Sequence, residues 1–309
     1  MAIRRIAEKI DFVGDYKKWF AFSLVLILLG LGAMAIGRLD FGIDFQGGSQ
    51  FTVTDIEGSA GPDEVQEALP ANVQGEAVVQ SVGAGYEVRT QPLEQAESAE
   101  VRDVLAESLG AEVSATTISP TFGEQARDQA LQAVAASLLV IVLFISVRFE
   151  FAFAMAAVVG VAHDIAIAAG IYAIVGREVS LVTVVALLTI LGYSLYDTVI
   201  IFDRIRENTP DTGYNRQRFD AMINKSVRQV VRRSVYTSIS TLIPITALLI
   251  FGESTLSDFA FALLVGILAG AYSSLFIAPP ILSFYKAWRE SRRPEVTEEP
   301  ERVPEGGQV

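Results

Sequence analysis

The chain has 309 residues, 51% of them hydrophobic. Several apolar runs reach the roughly 20 residues that cross a bilayer, which excludes a water-soluble globule and points to a polytopic α-helical membrane protein. There is no cysteine, so disulfides and thiolate metal sites are excluded, and the single histidine, His163, excludes a zinc site of several imidazoles. No cofactor or metal is expected.

The net charge of −12 is uneven, because residues 38–128 carry 17 acidic and 4 basic side chains. Basic residues divide into 19 Arg and 5 Lys. An acidic, lysine-poor surface points to a high-salt habitat, as in a halophilic archaeon, where screening is short-ranged. An acidic patch for a basic partner is the competing reading.

Residues 1–18 carry Arg4, Arg5, Lys9, Lys17 and Lys18. The apolar run 19–37 suits a first transmembrane helix, with Trp19 as an interfacial anchor. Ala33-Met34-Ala35 resembles a signal-peptidase site, so a cleaved signal is the alternative, although the run is long for that role.

Residues 38–128 read as one small extracytoplasmic domain. The stretch Phe41-Gly-Ile-Asp-Phe-Gln-Gly-Gly-Ser-Gln-Phe-Thr-Val-Thr54 ends in the alternation of a strand. Gly61-Pro62-Asp63-Glu64 starts a short helix. Val78, Val79 and Val82, then Tyr86 to Thr90, predict two strands joined through Gly83-Ala84-Gly85. Helical spacing of Val101, Val104, Leu105 and Leu109 predicts a helix over 96–109, and 112–118 predicts a last strand. The order β-α-β-β-α-β is the ferredoxin-like pattern. The domain shows no catalytic constellation, so binding or coupling is its expected role.

Five more spans are expected at about 130–147, 151–175, 180–202, 234–252 and 259–285. The bundle then occupies 129–285 and contains a polar loop, 203–233, with eight Arg or Lys. Residues 286–309 form a charged tail expected to be disordered. The basic residues cluster at the N-terminus, in the 203–233 loop and after residue 285, which predicts that both termini are cytoplasmic and the acidic domain is outside the cell membrane.

Polar side chains are rare inside these runs. Asp197 lies five residues inside the end of the fourth, roughly 7–8 Å into the apolar zone, where a carboxylate costs about 2.5–3.5 kcal/mol on insertion scales. A structural hydrogen bonder and a functional carboxylate are both open readings. Arg233 opens the fifth run, followed by Ser234, Ser238 and Thr241 at helical spacing and then by Pro244. Asp197 and Arg233 can meet at similar depth, and an arriving proton would break such a pair by neutralising the carboxylate. A snorkelling role for Arg233 is equally open. His163-Asp164 lies mid-span, as a helix-packing pair or as relay members. Gly266 and Gly270 form a small-residue face for close helix packing. There is no P-loop, H-E-x-x-H or G-x-S-x-G, and no enzyme is expected.

Four stretches carry a family resemblance: Phe41-Gly-Ile-Asp-Phe-Gln-Gly-Gly48, His163-Asp164, Gly192-Tyr-Ser-Leu-Tyr-Asp-Thr-Val-Ile-Ile-Phe-Asp-Arg-Ile-Arg-Glu-Asn208 and Gln229-Val-Val-Arg-Arg-Ser-Val-Tyr-Thr-Ser-Ile-Ser-Thr241. Together they resemble the SecF branch of the SecD/SecF family of protein-export membrane proteins, within the resistance-nodulation-division superfamily. The resemblance implies six spans, a complex with a homologous SecD chain, association with the SecY channel, and help to a translocating unfolded polypeptide from the proton-motive force. It assigns Asp197 and Arg233 to the proton or ion pathway, with His163, Asp164, Ser194, Ser238 and Thr241 as secondary candidates. Arg232 stands one residue before the assigned arginine, and Tyr196 stands where many relatives have a small polar residue. Asp44, Gly47 and Gly48 match the motif of the outer domain, where Asp44 is equally a turn-stabilising residue. Na⁺ is an alternative coupling ion. A six-span transporter of small molecules or lipids, and a scaffold of the SecY channel that transduces nothing, are the competing functions.

Overall fold

The computed structural model describes residues 7–56, 60–82, 85–209, 214–252 and 254–292. Helix α1, Tyr16–Ala35, leads into a short helix α2, Ile43–Gln46, and then strand β1, Gly48–Thr54. Helices α3, Pro62–Glu67, and α4, Ala71–Gln74, precede β2, Val78–Val82, and β3, Gly85–Thr90. Helix α5, Gln95–Leu109, and β4, Glu112–Ile118, complete the inserted domain. All neighbouring strands are antiparallel, in the order β2-β3-β1-β4. This is the ferredoxin-like arrangement.

Local chemistry explains these elements. The Glu64 side chain accepts a hydrogen bond from the Gly61 N–H at 3.0 Å, and Glu97 accepts one from Glu94 N–H at 3.1 Å, closing the first turns of α3 and α5. Gly110 ends α5 in the left-handed conformation. Phe51 and Val53 alternate along β1 and are buried against Val65, Val88, Val101 and Leu105. The expected Gly83-Ala84 turn lies outside the described residues.

The remaining spans are α6, Pro120–Arg148, α7, Phe151–Val175, α8, Leu181–Asn208, and α9, Arg216–Phe251, followed by α10, Ser254–Phe276, and α11, Ala278–Glu290. Among the described residues six helical segments are long and apolar enough to cross a membrane, α10 and α11 together making the sixth. Helix α6 starts ten residues earlier than its apolar run suggests, because Ser119 caps it and Pro120 occupies the first turn. The segment 203–233, expected as a loop, is helical among the described residues over 203–208 and 216–233. Arg204 pairs with Glu207 at 2.7 Å, Asn215 caps α9, and Asn224 accepts from the Phe12 N–H at 2.8 Å, so its polar faces are satisfied in helical form. Helix α9 continues through Pro244. Residues 286–290, expected in the tail, complete α11, while 293–309 lie outside the described residues.

The inserted domain is tied to the start of α8. Phe41 forms a bridge with Val179, with Gly42 N–H donating to Val179 O at 2.9 Å. The Asp44 carboxylate accepts from the Leu181 N–H at 2.9 Å, filling one of the open donors in the first turn of α8. Gly47 and Gly48 turn the chain from α2 into β1 with φ of +75° and +140°. A Cβ on Gly47 would stand 2.7 Å from Pro120 Cα, and one on Gly48 2.8 Å from Thr90 O. Both backbone angle and close approach therefore require glycine. Arg89 of β3 and Glu178 of the α7–α8 connection form an ion pair at 2.6 Å, both largely buried. Burial pushes the Glu178 carboxyl up to about 7, with Arg89 opposing and Glu87, Asp258 and Asp40 adding to the rise.

Candidate functional site: a polar seam inside the helix bundle

Asp197 sits on the inner face of α8, 4% exposed, and accepts a hydrogen bond from Ser234 Oγ of α9 at 2.5 Å. The expected partner, Arg233, is turned away. Its guanidinium donates to the Tyr196 hydroxyl at 2.9 Å on the exposed flank of the same two helices. Among the described residues no ion pair joins Asp197 and Arg233. The reason is helical geometry: neighbouring residues on a helix point about 100° apart, so seating Ser234 against Asp197 rotates Arg233 outward. A neutral hydroxyl touches the carboxylate, and the cation stands one residue away on the rim.

A second cluster lies around His163-Asp164 of α7. Asp164, 1% exposed, accepts from Ser194 Oγ of α8 at 2.6 Å and from Ser273 Oγ of α10 at 2.9 Å, both on Oδ2. Its Oδ1 stands 3.1 Å from His163 Nδ1, and His163 Nε2 stands 2.9 Å from Ser23 Oγ of α1. Thr198 on α8 donates to Ser274 of α10 at 3.1 Å, extending the seam. The small-residue face of α10 makes this possible. A Cβ on Gly270 would come within 2.7 Å of Ser194 Cβ, and one on Gly266 would collide with Ile190 of α8. Backbone closeness there brings hydroxyls of α8 and α10 to one carboxylate.

The other expected residues are dispersed. Ser238 is buried on α9, and its hydroxyl has no hydrogen-bond partner among the described residues. Thr241 is half-buried, donating to Thr237 O at 2.9 Å and accepting from Tyr193 OH at 3.4 Å. Asp44, Gly47 and Gly48 lie at the base of the inserted domain, away from the seam. Sequence reading missed Ser23, Thr198, Ser273 and Ser274. The spacing of Ser273-Ser274, one turn after Gly270, was the available signal for two of them. Among the described residues no group of three or more His, Asp or Glu side chains is placed to hold a metal ion.

A six-span bundle with buried carboxylates, carrying a ferredoxin-like domain between its first two spans, defines a polytopic membrane protein of transport type. Residues 100–288 match the family model "Protein export membrane protein SecD/SecF, C-terminal", and residues 32–54 match "SecD/SecF GG Motif". The chain belongs to the SecD/SecF family. It is 35% identical to the protein translocase subunit SecF of Streptomyces coelicolor over 89% of this chain and 76% of that one. It is 36% identical to SecF of Thermodesulfovibrio yellowstonii over 88% of this chain and 93% of that one. The crystal structure of Thermus SecDF, a translocon-associated membrane protein, superimposes with a TM-score of 0.81 at 34% identity, covering 90% of this chain. This chain spans 39% of that longer polypeptide.

Proposed function

We propose that this chain is a SecF-type subunit that assists protein export through the Sec translocon across the cytoplasmic membrane, powered by the proton-motive force. Its partners in this reading are a SecD chain, the SecY channel, the translocating polypeptide and membrane lipid. Both termini are cytoplasmic and the inserted domain lies outside, as the distribution of basic residues favours. The role is mechanical coupling of an ion gradient, not catalysis of a covalent reaction.

The observation that carries the reading is Asp197: a carboxylate inside an apolar bundle, touched by the hydroxyl of Ser234 and flanked by the Arg233–Tyr196 pair. Such a residue is costly to keep and is by default a functional one. Arg233 and Tyr196 form the outer part of the pathway, and Ser234 orients the carboxylate.

The test is secretion of a reporter in cells whose only copy carries Asp197→Asn, with the membrane abundance of the chain and its SecD partner measured in parallel. Export at the level of a deletion, with normal abundance, is the expected result. Export at the wild-type level would remove the ion-coupling role and leave a scaffold of the channel. Repeating the assay while varying Na⁺ at fixed pH separates the two candidate ions.

A further inference from the structure

We propose that His163 and Asp164 form a second proton-binding site in this chain, separate from Asp197 and built to hold one proton as a unit. The proposal rests on the hydrogen bonds of the pair and stands whether or not Asp197 couples ions to export.

Four helices contribute. Asp164 of α7 accepts hydrogen bonds from Ser194 and Ser273, and its other oxygen stands 3.1 Å from His163 Nδ1, which donates to it in the Nδ1–H tautomer. Among the described residues its bonds and those of His163 reach only each other and the three serines Ser23, Ser194 and Ser273. No lysine, arginine or further carboxylate is bonded to either. Tyr272 of α10 is the nearby titratable group, its ring stacked 6.0 Å from the imidazole and its hydroxyl donating to Trp19 O at 2.8 Å.

The network is complete in two states that differ by one proton. With a neutral imidazole, Nδ1–H donates to Asp164 and Nε2 accepts from the Ser23 hydroxyl. After uptake, Nε2–H donates to Ser23 at the same 2.9 Å, and the Ser23 hydrogen rotates to the Tyr272 oxygen 3.4 Å away. The proton comes to rest on Nε2, and no heavy atom has to move. Uptake turns a buried carboxylate with no cation into a buried ion pair, so the cluster goes from net negative to neutral. A structural hydrogen bonder needs one complete arrangement; this cluster supplies two.

The lone histidine makes the test direct. In the full chain with its SecD partner in lipid nanodiscs, ¹⁵N-histidine labelling of this chain gives one pair of imidazole signals, read between pH 8 and 5. The expected result is that Nδ1 stays protonated throughout and Nε2 gains a proton as pH falls. That gain is expected to be lost in Asp164→Asn and kept in Asp197→Asn. An imidazole in one state across the whole range, in the wild-type protein, overturns the proposal without any variant. A gain unchanged in Asp164→Asn overturns the pair as the unit, and signals that follow Na⁺ but not pH overturn the proton as its occupant.

Discussion

In the inserted domain Phe51, Val53, Val65, Val88 and Leu105 are fully buried, and the acidic side chains lie mostly outside. In the bundle Leu24, Val25, Leu28, Leu139 and Val140 point outward, while Asp164, Asp197, Ser194, Ser234 and Ser273 are buried. The two halves therefore place polarity on opposite sides. The domain is held by removing apolar surface from water. A bundle surrounded by lipid gains little by that route, so small residues and hydroxyl contacts set its packing. What a residue does in one half is thus a poor guide to the same residue type in the other.

The largest expected effect tests this contrast. Phe51→Ala in the domain core should cost about 3–5 kcal/mol, seen as faster amide exchange in β1 and β3 of the full chain. Leu24→Ala, on an outward bundle face, should change stability by less than about 0.5 kcal/mol. Equal effects at the two sites would break the comparison.

How much of each half was legible follows the same division. The four strands and the helices α3 and α5 of the domain could be read in order, because alternation, caps and glycines are local signals, while the four-residue helices α2 and α4 are too short to show a period. The third span was readable to its last residue for the same reason, being bounded by Glu150 and Gly176. The contacts that tie the domain to the bundle are long-range. Asp44 reaches the N–H of Leu181, and Arg89 reaches Glu178, across parts of the chain that share no local pattern. The choice of Ser234 over Arg233 as the neighbour of Asp197 depends on the rotation of α9, which an amphipathic pattern leaves free by one residue. The polar segment 203–233 read as loop because its helical faces are satisfied by other helices and by the N-terminal segment around Phe12, not by an apolar stripe.

The junction between the halves gives a pH-dependent prediction. Glu178 holds its proton up to about 7 in the folded chain, against 4.5 as its ordinary value. Between those values the folded state binds the proton that the unfolded state has released, so this group makes stability fall as pH rises through the window. Glu178→Gln should melt with the wild type near pH 4.5 and above it at pH 8. The difference at pH 8 is at most about 3–4 kcal/mol, from 1.36 kcal/mol per pKa unit. A variant that melts lower at pH 8 would show that the Arg89 ion pair outweighs burial.

A smaller effect separates polarity kept for stability from polarity kept for function. Removing Asp197 and Ser234 together, as Asp197→Leu with Ser234→Ala, deletes both ends of one buried hydrogen bond. The chain should keep its stability within about 1 kcal/mol, while export falls as it does for Asp197→Asn. A large loss of stability in the double variant would make the contact structural.

Ser238 sharpens the same distinction at the lowest magnitude. Its hydroxyl is buried one turn below Ser234 and has no partner among the described residues. Burying a hydroxyl without a partner is unfavourable, so Ser238→Ala should leave the thermal midpoint of the isolated chain unchanged or raise its stability by up to about 1 kcal/mol. In the domain core such a change would end the matter. In the bundle it leaves a second measurement, export by the complete complex. Reduced export with an unchanged midpoint would mean that the Ser238 hydroxyl acts on an ion, a water or the partner subunit. Unchanged export would mean that the hydroxyl is a tolerated cost of the small side chain that lets α9 pack there.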